Sequence, residues 1–186
     1  DPAKAFSDGL PLAKGKRAKT LARRTPTLLN VALLQPLMRD GRARSLEEQA
    51  LMPIVSPDEM DQDLDELERE LNAVPGYRKQ FQGVFGTAAT RDGIARALAA
   101  FQRSLVTRPA PIDRYLGGDK SALSASAKEG MQLFLGPAGC VRCHHGPSLS
   151  DGRFHRLGGG STTDKGRAAV TGKKDDLYRF RTPSLR

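Results

Sequence analysis

The sequence has no tryptophan, only two cysteines and three histidines among 186 residues, and aromatic residues make up 5 % of it. Thiol chemistry is therefore confined to one place in the chain. No apolar run reaches the length of a membrane span, which excludes a bilayer-crossing helix. Lys and Arg outnumber Asp and Glu by 30 to 21, a net charge of +9. The basic run from Lys14 to Arg24 nevertheless carries no interleaved aromatic residue. Base-stacking platforms need such residues, so the charge does not read as a nucleic-acid interface. The acidic run from Asp58 to Glu70 reads as the solvated face of a helix. Hydrophobic residues are 38 % of the chain, enough for a core and too many for a fully disordered protein. The chain begins at Asp1 without a Met, signal peptide or transit sequence; such segments are removable, so this says little about location.

What is present is helix punctuated by loop. Residues 1–27 are rich in Gly, Pro and Lys without a period and read as loop. Ser45 and Glu48 form a capping box that opens a short helix, which Pro53 is expected to end. Ser56, Pro57 and Glu59 mark a second start, with Met60, Leu64, Leu67, Leu71 and Val74 on one face and Pro75-Gly76 as its stop. Tyr77, Phe81, Val84 and Phe85 suggest a further short helix. Thr90 caps a stronger one with Ile94, Leu98, Phe101 and Leu105 inward. Residues 109–118 read as a linker or a structured crossing. Ser126 and Glu129 open a helix through Phe134, and the remainder is irregular. The fold class is all-α and loop-rich, with a boundary near residues 108–120 and no repeat at a fixed spacing.

Both cysteines lie in Cys140-Val141-Arg142-Cys143-His144. This is C-x-x-C-H, the attachment pattern of a c-type haem. Two thiols about one helical turn apart can add to the two vinyl groups of one porphyrin, and the following imidazole then becomes the proximal ligand of the iron. A thiol redox pair would need a βαβ context, and a closed zinc site would need four ligands. The fixed order of the five residues is explained more economically by haem c. In bacteria these thioethers are made beyond the inner membrane, so the expected location is the periplasm. His145 adjoins the proximal ligand and cannot reach the opposite face of the ring. His155 is expected to hydrogen-bond near the porphyrin edge, and Met131 to pack in the core.

Several motifs in order resemble the bacterial di-haem cytochrome c peroxidase family, which includes the maturation enzyme of methylamine dehydrogenase. They are Arg24-Thr25-Pro26-Thr27-Leu28-Leu29-Asn30; Asp40-Gly41-Arg42-Ala43 with Ser45-Leu46-Glu47-Glu48-Gln49-Ala50; Ser124 to Pro147; and Phe180-Arg181-Thr182-Pro183-Ser184-Leu185-Arg186. The resemblance implies cytochrome c-like haem domains. Residues 1–107 would be the remainder of an N-terminal, peroxidatic haem domain, and residues 108–186 a truncated C-terminal haem domain carried on Cys140, Cys143 and His144. The stretch from Asp1 to Gly9 resembles the segment directly after the family's first haem motif, so a second haem is expected in a longer parent and the fragment alone is expected to be inactive.

The resemblance further implies that Gln49, Pro53 and Glu59 line the distal pocket where hydrogen peroxide is split. Glu59 would move a proton, Gln49 would hold peroxide or water, and Pro53 would shape the pocket. The implied partners are hydrogen peroxide and a small electron donor such as a cytochrome c or cupredoxin. Two positions depart from the family's pattern. Arg39 stands where relatives generally have Trp between the haems. Arg24 stands where relatives often have Asn near a calcium ion, and a guanidinium there disfavours calcium. Two alternatives remain at this point: a mono-haem cytochrome that only carries electrons, and a family member that oxidises a protein substrate.

Overall fold

A computed structural model describes residues 1–158 and 163–186. The chain is mainly helical: α1 (Leu46–Val55), α2 (Leu64–Ala73), α3 (Pro75–Phe85), α4 (Arg91–Ser104), α5 (Pro111–Leu116), α6 (Ala125–Leu135) and the short α7 (Ala168–Thr171). One antiparallel pair joins β1 (Phe154–His155) to β2 (Phe180–Arg181), in the register Phe154 to Arg181 and His155 to Phe180. The opening loop contains only short helical turns, at Pro2–Lys4 and Lys16–Ala18. It is pinned by backbone bonds from Leu21 N–H to Ala13 and from Lys16 N–H to Asp58.

The core is small and sits where α1 packs on α4. Val31, Leu37, Ala43, Leu46 and Ala99 form its centre, and Ala43 and Ala99 are fully buried. Alanine at both places lets the backbones approach closely, with Leu37 and Leu46 filling the remaining space. Asn30, in a left-handed conformation, ties the end of α4 to this core: its amide nitrogen donates to the Thr107 hydroxyl at 2.9 Å and its amide oxygen accepts from Thr107 N–H at 3.0 Å.

Four local expectations are corrected. First, α1 does not end at Pro53 but runs to Val55. The proline sits in the last turn, where it costs one amide donor. The next carbonyls find donors outside the helix: Pro53 accepts from Met60 N–H and Ile54 from Gln62 N–H. Second, Ser56 and Glu59 do not open α2. Ser56 ends α1, residues 57–60 form a turn, and Asp63 is the cap, accepting from Glu66 N–H at 2.9 Å. An ionised carboxylate at the helix start outcompetes the serine seven residues upstream. Met60 is thereby left outside the helix and exposed.

Third, the inward face of α4 is Ile94, Ala95, Ala99 and Gln102, whereas Leu98 and Phe101 are exposed. The small residues face α1 because close helix packing needs them there. Fourth, α6 is capped by Ser124, whose hydroxyl accepts from Ala127 N–H, rather than by Ser126. Thr90 caps α4 as expected, and Pro75 both terminates α2 and opens α3.

Every buried apolar side chain among the described residues lies between Ala13 and Ala99. The described residues of 108–186 bury none, and Leu116, Leu133, Leu135 and Leu157 are exposed. This part is fastened to the first by polar contacts. Arg23 grips Asp164 with Nε and Nη2, each at 2.8 Å, and Asp40 with Nη1 at 2.7 Å. Arg167 donates Nη1 to the Asp40 and Gly41 carbonyls. Arg181 N–H donates to the Arg39 carbonyl at 2.8 Å. No helix among the described residues is long and apolar enough to cross a membrane.

Candidate functional site

Gly139, in a left-handed conformation, turns the chain out of α6 into the helical turn Cys140–Arg142. The turn is closed by Cys143 N–H and His144 N–H, both donating to the Cys140 carbonyl at 3.2 and 2.9 Å. The two thiols are thereby fixed about one turn apart, and both are free and partly accessible. His144 sits next on the same turn, half-buried, with its ring 6.5 Å from that of Phe134 on α6.

The His144 Nδ1 lies 2.9 Å from the Leu149 carbonyl oxygen. A carbonyl only accepts, so Nδ1 carries the proton and Nε2 keeps its lone pair for a metal. This is the orientation a ligating imidazole needs, with its far nitrogen anchored to the backbone. The loop that presents Leu149 is itself held: Ser150 N–H donates to His145 and Asp151 N–H to Cys143.

His155 reaches the same place from β1. Its Nε2 is 2.7 Å from Asp151 Oδ2, and a ring nitrogen, an Asp151 oxygen and the Cys143 sulfur all lie within 4.8 Å of one another. The Asp151 side chain is 6 % exposed. Burial pushes its pKa up, but the Arg153 amide and the His155 imidazole outweigh that and bring it down to about 2. Sequence reasoning misses Asp151. Its position four residues before His155 is the only signal that points to it.

Gln49 and Pro53 lie four residues apart on α1 and share a face of it, and Glu59 lies in the turn after this helix. The Gln49 amide oxygen is buried and has no hydrogen-bond partner, and the same holds for the Gln102 amide oxygen on α4. Glu59 is half-buried. These residues belong to the first part of the chain and His144 to the second. Met131 is half-buried on α6.

The donor set has one chemical fit. Two accessible thiols at this spacing, followed by an imidazole with its Nε2 free, match what a covalently attached haem takes. The surroundings agree: the described residues of 108–186 bury no apolar side chain, and a porphyrin is an apolar plate that would give them a core.

Comparison with known proteins gives the same direction. Residues 1–121 match the sequence profile of the family described as di-haem cytochrome c peroxidase. The chain is 44 % identical to the methylamine utilization protein MauG of Methylorubrum extorquens, over 100 % of the chain and 54 % of that protein. It is 38 % identical to the cytochrome c551 peroxidase of Nitrosomonas europaea, over 87 % of the chain and 50 % of that protein. Among solved structures, a MauG-like protein associated with microbial copper homeostasis superposes with a TM-score of 0.87 at 26 % identity, covering 98 % of this chain and 60 % of that one. The chain thus spans about half the length of the curated relatives it matches. A mainly helical fold, a cytochrome c-like turn and a profile match over residues 1–121 converge, and the chain belongs to the di-haem cytochrome c peroxidase family.

Proposed function

We propose that this chain is part of a periplasmic di-haem peroxidase that reduces hydrogen peroxide with electrons from a small donor protein, a cytochrome c or a cupredoxin. In this reading residues 1–107 complete a peroxidatic haem domain and residues 108–186 form an electron-accepting one. Cys140 and Cys143 hold one haem c by thioethers, and His144 Nε2 ligates its iron. When bound, the haems supply one-electron redox chemistry. The rest is the work of side chains. His144 is oriented by the Leu149 carbonyl. His155 is steadied by Asp151 beside the Cys143 sulfur, and from there it would hydrogen-bond near the edge of a porphyrin held on these cysteines.

The observation that carries the peroxidase reading is the Gln49 amide oxygen, buried without a partner. A buried polar atom left unpaired is costly, and it is kept where a bound molecule supplies the partner. Gln49 holds peroxide or a water through that oxygen, and Pro53 on the same face narrows the space. Glu59 would take a proton from one peroxide oxygen and return it to the other, so that the O–O bond breaks and that oxygen leaves as water; the remaining oxygen would become the second water with two electrons delivered through the haems and two protons from solvent. The basic surface suits an acidic donor, whose approach it would steer. Calcium is not proposed near Arg24.

A second reading within the family is oxidation of a protein substrate. It is favoured by the 44 % identity to a methylamine utilization protein, and Arg39 in place of the aromatic residue expected there leaves it open. The profile match over residues 1–121, upstream of the C-x-x-C-H turn, argues against a mono-haem electron carrier.

The test is peroxide turnover by the full-length protein with reduced cytochrome c. Glu59→Gln is expected to lower kcat about a hundredfold or more, and Gln49→Ala to lower it less. Turnover unchanged in Glu59→Gln would overturn the assigned proton transfer. Negligible turnover by the unmodified protein would favour the protein-substrate reading.

A further inference from the structure

Arg181 is held rigidly by its backbone. It pairs with Phe154 across the β1–β2 ladder and donates its N–H to the Arg39 carbonyl. Its guanidinium is a different matter. Nε and Nη1 are both buried, and neither has an acceptor. The charge it meets is of the wrong sign: burial and the nearby Arg39 both push its pKa below the ordinary arginine value. The acids of the junction are engaged elsewhere. Asp40 is taken by Arg23 and Arg42, Asp164 by Arg23, and Asp151 by His155. Arg39 is exposed, stacked over the Phe180 ring at 5.7 Å, and pairs with no carboxylate among the described residues. Arg39 also lies within electrostatic reach of Asp164, but neither guanidinium forms an ion pair among the described residues, and the two buried Arg181 nitrogens would be satisfied by an anion placed between them.

The orphan Nε–H and Nη1–H leave the guanidinium on different edges, and each can donate to a carboxylate oxygen. Haem brings two carboxylates of its own, and Arg181 lies in the segment that joins the two parts of the chain. Resting on the haem reading above, we propose that Arg181, assisted by Arg39, binds a haem propionate at this junction and holds the potential of that haem up by neutralising it. Arg39 then has a role in this chain that the aromatic residue expected at that place could not perform. The propionate belongs either to the haem on His144 or to the haem of the preceding domain, and the two sources share the same chemistry.

The test is a potentiometric titration of the full-length, haem-loaded protein in which the two haems are resolved spectroscopically. Arg181→Gln is expected to shift one haem to lower potential, because an unshielded propionate favours the ferric iron. The haem that moves identifies the source. Arg181→Lys keeps the charge and is expected to restore part of the shift. Arg39→Gln, an exposed substitution, is expected to move the same haem less and serves if Arg181→Gln fails to fold. A folded Arg181→Gln or Arg39→Gln protein with haem bound and both potentials unchanged overturns the proposal. A colourless protein overturns the haem reading beneath it instead.

Discussion

Arg23 and Asp164 meet through two parallel hydrogen bonds of 2.8 Å across 141 residues of sequence. Both side chains are largely withdrawn from water, at 26 % and 21 % exposure. Arg23 also holds Asp40, which is 5 % exposed, and this second bond commits the guanidinium fully. The hydrogen bonds that Arg23 donates to Asp164 and Asp40 raise its pKa above the ordinary value. Because the described residues of 108–186 bury no apolar side chain, such pairs carry much of the junction, beside the approach of Phe154 to Gly41.

Breaking this pair is expected to cost about 1–3 kcal/mol in either single variant, Arg23→Gln or Asp164→Asn. Asp164→Asn should cost less, since Arg23 retains Asp40. Urea unfolding of both singles and the double variant gives the coupling. The double variant should cost clearly less than the two singles together, and strict additivity would show that the contact is idle.

Asp151 sets an acid-side limit. Its pKa lies at about 2 in the fold against an ordinary 3.8. A depressed carboxylate stabilises the fold fully above its ordinary pKa and loses that contribution as pH falls through the folded value. The contribution should fade between about pH 4 and pH 2. Asp151→Asn removes the charge, so its unfolding midpoint should fall less steeply over that window than that of the unmodified protein. Parallel acid titrations of the two proteins by circular dichroism check this.

Gly41 is a point of close approach. Its φ is +72°, and a Cβ there would lie 2.4 Å from Phe154 Cζ and 2.6 Å from Arg167 Nη1. Arg167 uses Nη1 to hold the Asp40 and Gly41 carbonyls, and its guanidinium lies 4.5 Å from the Phe154 ring centroid. Gly86 has a φ of +73° with nothing within 4 Å of an added Cβ. Gly86→Ala should therefore cost only the backbone term, about 1 kcal/mol. Gly41→Ala should cost at least about 2 kcal/mol, the excess measuring the contact with Phe154 and Arg167. Thermal unfolding of the two variants side by side gives the difference.

The C-x-x-C-H turn makes a prediction about order as well as colour. Matured protein should give a pyridine haemochrome spectrum and a mass increase that survives denaturation. Replacing Cys140 and Cys143 together by Ser should abolish both. In haem-free protein, amides of residues 108–186 should exchange with solvent quickly while α1 and α4 stay protected, because only the latter pack a core of side chains. Attachment of haem should slow exchange in α6.

The sequence alone determined what depends on local chemistry. The Cys140-x-x-Cys143-His144 order is readable as a haem-attachment pattern without any folding, because it is a matter of spacing along the chain. The helix start at Thr90 and the helix stop at Pro75 were legible because a cap or a proline acts within one turn. Tertiary structure decided whatever depended on competition or distance. Pro53 stayed inside α1 because Met60 and Gln62 came back to satisfy the last carbonyls. The buried stripe of α4 moved from Leu98 and Phe101 to Ala95 and Ala99 because α1 lies close against it. That His144 keeps Nε2 free depends on the placement of the Leu149 carbonyl, and that Arg181 lies beside Arg39 depends on β2 being laid against that residue. Periodicity records which residues can share a face; which face is covered, and which charges find each other, is set by the partners that folding brings.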